Sequence, residues 1–224
     1  MTGQHAKLTW KSDAVPVSEH FDDPYFSLQN GLEETRHVFL AGNDLPDRFR
    51  PGFQIGELGF GTGLNALTAC REWTCSGQSG TLGFTSFEAY PMRPEDMARA
   101  LSVFPDLGEA AARLLDLWSA GHTEMELAPG FLLRVIIGDA RRTLIDWNGA
   151  ADAWFLDGFS PAKNPELWQP DLMAEVGRHT RPGGTAATYT AAGFVRRGLQ
   201  AAGFAVTRAP GFGRKRHMTR AVLE

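Results

Sequence analysis

Glu57, Glu88, Asp139 and Asp157 share one kind of position four times over: each stands at or just past the end of a short apolar run. "FQIGEL" carries Glu57 and leads into "GFGTG", where Gly59, Gly61 and Gly63 fall at every second position. "TLGFTSFEAYP" carries Glu88, "FLLRVIIGDA" delivers Asp139, and "ADAWFLDGFSP" delivers Asp157. A carboxylate can accept hydrogen bonds from hydroxyls and amines, balance a cation, or take up a proton. Glycine removes the Cβ that would hold a ligand away from the backbone. The glycine triplet by itself leans toward a ligand site, with a bare tight turn as the alternative, and each single acid has a plain alternative as a solvated strand end or a cap. Four acids in succession around a glycine turn read instead as the rim of a binding site.

The spacing and charge of the turn narrow the ligand. The pattern is G-x-G-x-G rather than the G-x-G-x-x-G of dinucleotide sites, and Glu57 to Asn65 contains no Lys or Arg. A pyrophosphate needs a helix N-terminus with positive charge nearby. An acidic pocket suits a cation, and S-adenosylmethionine fits with its sulfonium and its ammonium. Glu88, 25 residues beyond Gly63, stands where an acid accepts from both ribose hydroxyls. Asp139 could accept from the adenine amine, and capping the following helix is an alternative compatible with that role.

The elements that must position these residues alternate. Strands are predicted at Phe53–Leu58, in "TLGFTSFEAYP", in "ADAWFLDGFSP" and in "GGTAATYT", with a hairpin turning at Pro129-Gly130. Helices are predicted from Leu64 to just before Cys75, from Pro94 to about Phe104, over Glu109–Ala120, through "PELWQPDLMAEVGRHTR", and in "AAGFVRRGLQAAG". Two final strands flank a glycine-rich turn. This order implies an α/β fold: a mostly parallel central sheet, helices on both faces, and ligands outside the carboxyl ends of the strands. One domain is expected, residues 51–224, with residues 1–50 as an N-terminal extension or lid packed on it.

At 224 residues, 43% hydrophobic and 21% charged, the composition is that of an ordinary globular chain. No apolar run reaches the roughly 18 residues of a membrane span, and "MTGQHAKLTWKSDAVPVSE" lacks a signal-peptide core, so a cytoplasmic protein is expected. Cys70 and Cys75 form no zinc pattern, and no metal is expected. The net charge of −4 hides an asymmetry. Residues 1–177 hold 13 Lys/Arg against 25 Asp/Glu, whereas residues 178–224 hold 9 Lys/Arg against Glu224 alone. A basic C-terminal fifth on an acidic body is either a phosphate-binding face or a set of solvated arginines.

"DDPYFSLQNGLEETRHVFL", "ELGFGTGLN", "FLDGFSPAKNPELW" and "AGFVRRGLQAAGF…GFGRKRHM" resemble the methyltransferase half of the bifunctional tRNA 5-methylaminomethyl-2-thiouridine biosynthesis proteins, the MnmC family. The resemblance runs from about Phe21 to Met218, and the first and third blocks are far more specific than the glycine loop. It implies a Rossmann-like methyltransferase fold with S-adenosylmethionine as donor and S-adenosylhomocysteine as product. The implied substrate is a tRNA wobble uridine bearing a 5-aminomethyl group, which becomes 5-methylaminomethyl. In two-domain members an FAD-dependent oxidoreductase follows. The chain given ends at Glu224, so a stand-alone methyltransferase without FAD is expected, its aminomethyl substrate coming from another enzyme.

The resemblance implies roles residue by residue. Asp157 is the substrate-facing acid, accepting a hydrogen bond from the neutral amine and helping to remove its proton; the plain alternative is a turn cap. Glu57, Gly59, Gly61, Gly63, Asn65, Glu88 and Asp139 are expected at the donor, with Asn30 and Gly31 near its methionine end under a lid; Glu33 and Glu34 fall there too, or are ordinary surface acids. Phe159 either stacks on the flipped uracil or packs in the core. Lys163 and Asn164 could reach a phosphate or the uracil edge. Arg196, Arg197, Arg214, Lys215 and Arg216 are expected on the phosphates of the tRNA anticodon stem-loop. Three readings remain beside this one: an N-methyltransferase acting on another RNA or a small amine, polyamine synthesis on a similar fold, and a non-catalytic tRNA-binding protein. The basic tail disfavours a polyamine or free amine, and the intact set of acids disfavours a silent protein.

Overall fold

A computed structural model describes residues 5–11, 14–27 and 30–224. The chain opens with a small antiparallel sheet of β1 (Leu8–Lys11), β2 (Val15–Ser18) and β3 (Asp23–Pro24). A short helix, α1 (Gly31–Thr35), is capped by Asn30 and continues through two irregular turns to Asn43. The remainder runs β4 (Phe53–Leu58), α2 (Leu64–Ser76), β5 (Leu82–Glu88), α3 (Pro94–Leu101), α4 (Gly108–Ser119), β6 (Glu124–Ala128) and β7 (Phe131–Ile137). It continues with α5 (Ala140–Thr143), β8 (Ala151–Leu156), α6 (Pro170–Arg178), β9 (Thr180–Thr188), α7 (Gly193–Ala201), β10 (Phe204–Pro210) and β11 (His217–Leu223).

The eight later strands form one sheet in the order β10-β11-β9-β8-β4-β5-β7-β6. The five central strands, β9 to β7, pair in parallel, and the outer pairings are antiparallel. β4 pairs with β5 on one side and β8 on the other, so the strand order reverses there, and a crevice opens above that point. The register aligns Leu58 with Phe87 and with Leu156, which brings Gly59, Glu88 and Asp157 to one level at the carboxyl ends.

Each sheet face is covered by helices because the central strands are apolar on both sides. One core holds Phe53, Ile55, Phe84 and Phe155 against Leu67 and Trp73 of α2. The other holds Leu58, Phe87 and Trp154 against Leu172, Met173 and Leu199 of α6 and α7. Each fully buried aromatic contributes about 1.5–3 kcal/mol. Leu32, Val38, Phe39, Leu40, Leu45 and Phe49 belong to the first core. The N-terminal fifty residues therefore divide: Leu32 to Phe49 supply core, and the small sheet before them lies at the crevice.

Several boundaries differ from the sequence reading: the helix opened by Pro94 ends at Leu101, and the strand expected in "GGTAATYT" runs Thr180–Thr188. The single helix expected over 165–181 is broken: a 3-10 turn at Pro165–Trp168 ends at Gln169, whose ψ is 150°, and α6 starts at Pro170. Proline disfavours the helical conformation in the residue before it. α2 runs past Cys75 to Ser76 and stops at Gly77, which is left-handed at φ 66°. The hairpin forms as expected, with Gly130 at φ +76°. Among the described residues no helix is long and apolar enough to cross a membrane.

Candidate active site at the strand switch

The glycine turn is both things its spacing allowed. Gly59, Gly61 and Gly63 all lie in the left-handed region, at φ +91°, +54° and +78°, where a side chain is strained. Close approach adds a second requirement at Gly59, where a Cβ would stand 2.3 Å from the carbonyl oxygen of Asp157. The turn thus locks the end of β4 to the end of β8 and delivers the chain into α2.

Glu88 holds the turn from the other side. Its Oε2 accepts from Gly61 N at 2.9 Å and its Oε1 from Tyr90 N at 2.7 Å. Burial pushes its carboxyl up from the ordinary range, and backbone N–H groups oppose that shift.

Behind the turn lies a buried amide between two acids. Asn65 Nδ2 donates to Glu57 Oε1 at 2.9 Å and to Asp157 Oδ2 at 2.7 Å, and Asn65 Oδ1 accepts the Thr35 hydroxyl at 2.8 Å. Glu57 is fully buried and does not line the cavity. Burial, the largest influence, pushes the Glu57 carboxyl well up and favours its neutral form, while hydrogen bonds with Ser86 and Asn65 oppose the shift. The Asp157 carboxyl is pushed up to about 7, first by burial and then by Glu34, with Asn65 and Lys215 pulling it down.

A cavity of about 970 Å³ opens over these residues. Its wall includes Gly31, Glu34, Gly59, Gly61, Asn65, Glu88, Asp139, Asp157, Phe159, Asn164, Tyr189, Arg214 and Lys215. The small N-terminal sheet spans its mouth. Ala6 N donates to Pro91 O at 3.2 Å on the β5 side, and Ser160 N donates to Asp23 Oδ2 at 2.8 Å on the β8 side. Phe159 stacks on Phe21 with centroids 4.8 Å apart and meets Tyr25 edge-on at 5.0 Å.

Other expected site residues lie elsewhere or are already engaged. Lys163 is not in the cavity wall; its ammonium pairs with Asp22 and Asp23 of the N-terminal sheet. Asp139 caps α5 through Arg141 N and also holds the Arg141 guanidinium, which keeps its carboxyl below the ordinary range. Asn30 caps α1 and, like Gly63, Arg196, Arg197 and Arg216, does not line the cavity. Lys215 enters it, donating to Glu34 Oε1 at 2.7 Å with its ammonium 4.0 Å above the Tyr189 ring.

Tyr189 and Thr35 escaped the sequence reading. Tyr189 donates to Gly158 O at 2.7 Å and so fixes the loop after Asp157; burial, chiefly, pushes its hydroxyl up. It stands just past β9, and the strand-end rule that selected the acids applies to it as well. Thr35 reaches Asn65 across 30 residues, a contact with no local signal.

A parallel sheet with its crevice at the strand switch, a glycine turn locked to two strand ends, and several acids around one cavity define an enzyme that binds a nucleoside cofactor carrying positive charge. Residues 105–224 match the model of a family described as S-adenosyl-L-methionine-dependent methyltransferase, and the chain belongs to that family. It is 49% identical to the tRNA 5-methylaminomethyl-2-thiouridine biosynthesis bifunctional protein MnmC of Caulobacter sp. (strain K31), with 96% of this chain and 38% of that protein aligned. It is 47% identical to the protein of the same name from Stutzerimonas stutzeri (strain A1501), over 99% of this chain and 35% of the other. The chain thus spans little more than a third of the length of these curated relatives. Among solved structures, MNMC2 from Aquifex aeolicus superposes with a TM-score of 0.78 at 25% identity, covering 100% of this chain and 72% of that one.

S-adenosylmethionine is the donor such a family uses, and the site fits it. Glu88 and the glycine turn stand together in the cavity wall, and the neighbouring acids suit a cation. When bound it supplies an electrophilic methyl group on sulfur.

Proposed function

We propose that this chain methylates the exocyclic amine of 5-aminomethyl-(2-thio)uridine at the wobble position of tRNA, giving 5-methylaminomethyl-(2-thio)uridine. The observation that carries the reading is Asp157: a half-buried acid in the wall of the donor cavity, its carboxyl pushed up to about 7. A primary amine is protonated at neutral pH and then has no lone pair to offer. Asp157 accepts its hydrogen bond, aims the lone pair, and takes the proton; an acceptor near 7 is matched to that work. The names of the curated relatives support the same nucleoside.

The glycine turn with Glu88 holds the nucleoside end of the donor, Asp139 stands on the adenine side, and Gly31 and Glu34 lie toward its methionine end under a lid formed by the small N-terminal sheet. Phe159 and Asn164 bound the space for the uracil. Arg214 and Lys215 approach the phosphates of an anticodon stem-loop, and Arg216 extends that face outward. The amine must be made by a reaction that leaves a primary amine on the uridine C5 substituent, and a tRNA substrate belongs to the cytoplasm.

The test is methyl transfer from labelled S-adenosylmethionine to tRNA from a strain lacking this methylation, followed by digestion and mass spectrometry of the nucleosides. A new methyl on 5-aminomethyl-uridine is the expected result. Donor binding without label on tRNA would leave the methyltransferase class standing and remove this substrate.

A further inference from the structure

We propose that Asn65 is the positioning residue of the proton acceptor: with Thr35 behind it, its amide fixes which oxygen of Asp157 faces the amine. The inference rests on the role given to Asp157 above. Asn65 Nδ2 carries two hydrogens and both are used, one on Asp157 Oδ2 at 2.7 Å and one on Glu57 Oε1 at 2.9 Å. Its Oδ1 accepts the Thr35 hydroxyl at 2.8 Å. Rotating the amide by half a turn would set its oxygen against the Asp157 carboxylate and forfeit the Nδ2 bond to it, which favours the orientation observed. With Oδ2 engaged, Oδ1 is the Asp157 oxygen that can meet a ligand. Asn65 sits in the first turn of α2, immediately after the glycine turn, and Thr35 closes α1. The chain of bonds therefore runs from the N-terminal segment, beneath the donor site, to the end of β8.

Asn65 is buried, at 5% exposure, and its two amide hydrogens are committed to protein acceptors. That arrangement suits an orienting role better than direct donor binding. The charged and titratable groups around the Asp157 carboxyl come from every neighbouring element: Glu57 from β4, Glu34 from α1, Lys215 from the β10–β11 turn, and Tyr189 beyond β9. Among the described residues Asn65 is the one that hydrogen-bonds it, and this bond opposes the effect of burial. Removing the bond raises the Asp157 carboxyl further, so more of it is protonated at a given pH and the acid limb of activity moves to higher pH.

The experiment compares Asn65→Ala, Thr35→Val and Thr35→Ser with the unaltered protein by two readouts. One is titration of the Asp157 carboxyl by ¹³C NMR without donor, the signal being assigned with Asp157→Asn. The other is kcat and KM of methyl transfer against pH. In Asn65→Ala the titration moves to higher pH, and kcat near neutrality falls by on the order of tenfold to a hundredfold. KM for S-adenosylmethionine changes by less than about twofold, because a positioning residue leaves donor binding alone. Thr35→Val gives the same changes in smaller degree, and Thr35→Ser restores them. An Asp157 titration unmoved in both Asn65→Ala and Thr35→Val overturns the inference. So does a raised donor KM with unchanged kcat, which would return Asn65 to the donor site. A moved titration in a protein that labels no tRNA removes the wobble-uridine substrate while leaving Asn65 with the acid it positions. Should Asn65→Ala fail to fold, Thr35→Val reads the same bond chain from its far end.

Discussion

Asp152, inside β8, and Asp157, just past its end, lie five residues apart, the first buried and the second half-buried, and their surroundings are opposite. At the amino end of β8, Asp152 is fully answered by the protein. Arg50 Nη2 meets one oxygen at 2.6 Å, Arg181 Nη1 meets the other at 2.6 Å, and Gln54 N donates at 2.8 Å. At the carboxyl end, Asp157 has one amide hydrogen bond, two acids nearby, and, among the described residues, no cation within ion-pair distance. One acid ties β4, β8 and β9 together and is electrically complete. The other is left with its charged form disfavoured, its carboxyl pushed up by burial. An acid left short of partners is the mark of a working group, and the two ends of one strand supply the control.

The comparison can be broken most directly at Asp157. Asp157→Asn should lower the methyl-transfer rate by on the order of 10²–10⁴-fold while leaving donor affinity intact. Turnover kinetics beside calorimetric donor binding check this, and lost binding would move Asp157 to the donor. Asp152→Ala should do the reverse, costing about 2–4 kcal/mol of stability in denaturant unfolding with activity per folded molecule preserved. The arginines around it are partly solvated, at 54% and 40% side-chain exposure, which holds the loss below that of a sealed ion pair.

Glu88→Ala should weaken donor binding about tenfold to a hundredfold, the worth of hydrogen bonds to a charged acceptor. Unchanged affinity would take the ribose away from it.

The pH dependence of stability sharpens the contrast. The Asp157 carboxyl lies near 7 when folded and near 3.8 when free. Between those values the folded chain holds the extra proton, so this group's contribution to stability falls as pH rises through the window. Asp157→Asn should therefore be more stable than the unaltered chain at pH 8, by on the order of 2 kcal/mol, with the gap closing toward pH 4. Thermal melts at the two pH values test it. Replacing Arg214, Lys215 and Arg216 together with Ala should have the smallest effect at low salt: a higher KM for tRNA and a salt slope reduced by roughly 2 to 3.

Much of this arrangement is legible along the chain. Apolar runs ending in an acid located four strand ends, the glycine spacing located the turn, and alternation of strand and helix implied the sheet. These signals are local: backbone conformation and side-chain period act within a few residues. The helix break at Gln169 was readable too, from Pro170. The site was less completely readable. Glu57 and Asp157 look equivalent in sequence, each closing an apolar strand, but one is sealed under the cavity and the other lines it. Lys163 looks like a phosphate ligand until Asp22 and Asp23 are seen beside it.

The sequence by itself determined which residue types stand at the strand ends, because period and turn chemistry are short-range properties. Only the tertiary structure decided what each of them does. Burial raises one acid, two arginines complete another, and Thr35 orients an amide thirty residues away. Charge interactions depend on distance and local dielectric, and neither is written in the order of the residues.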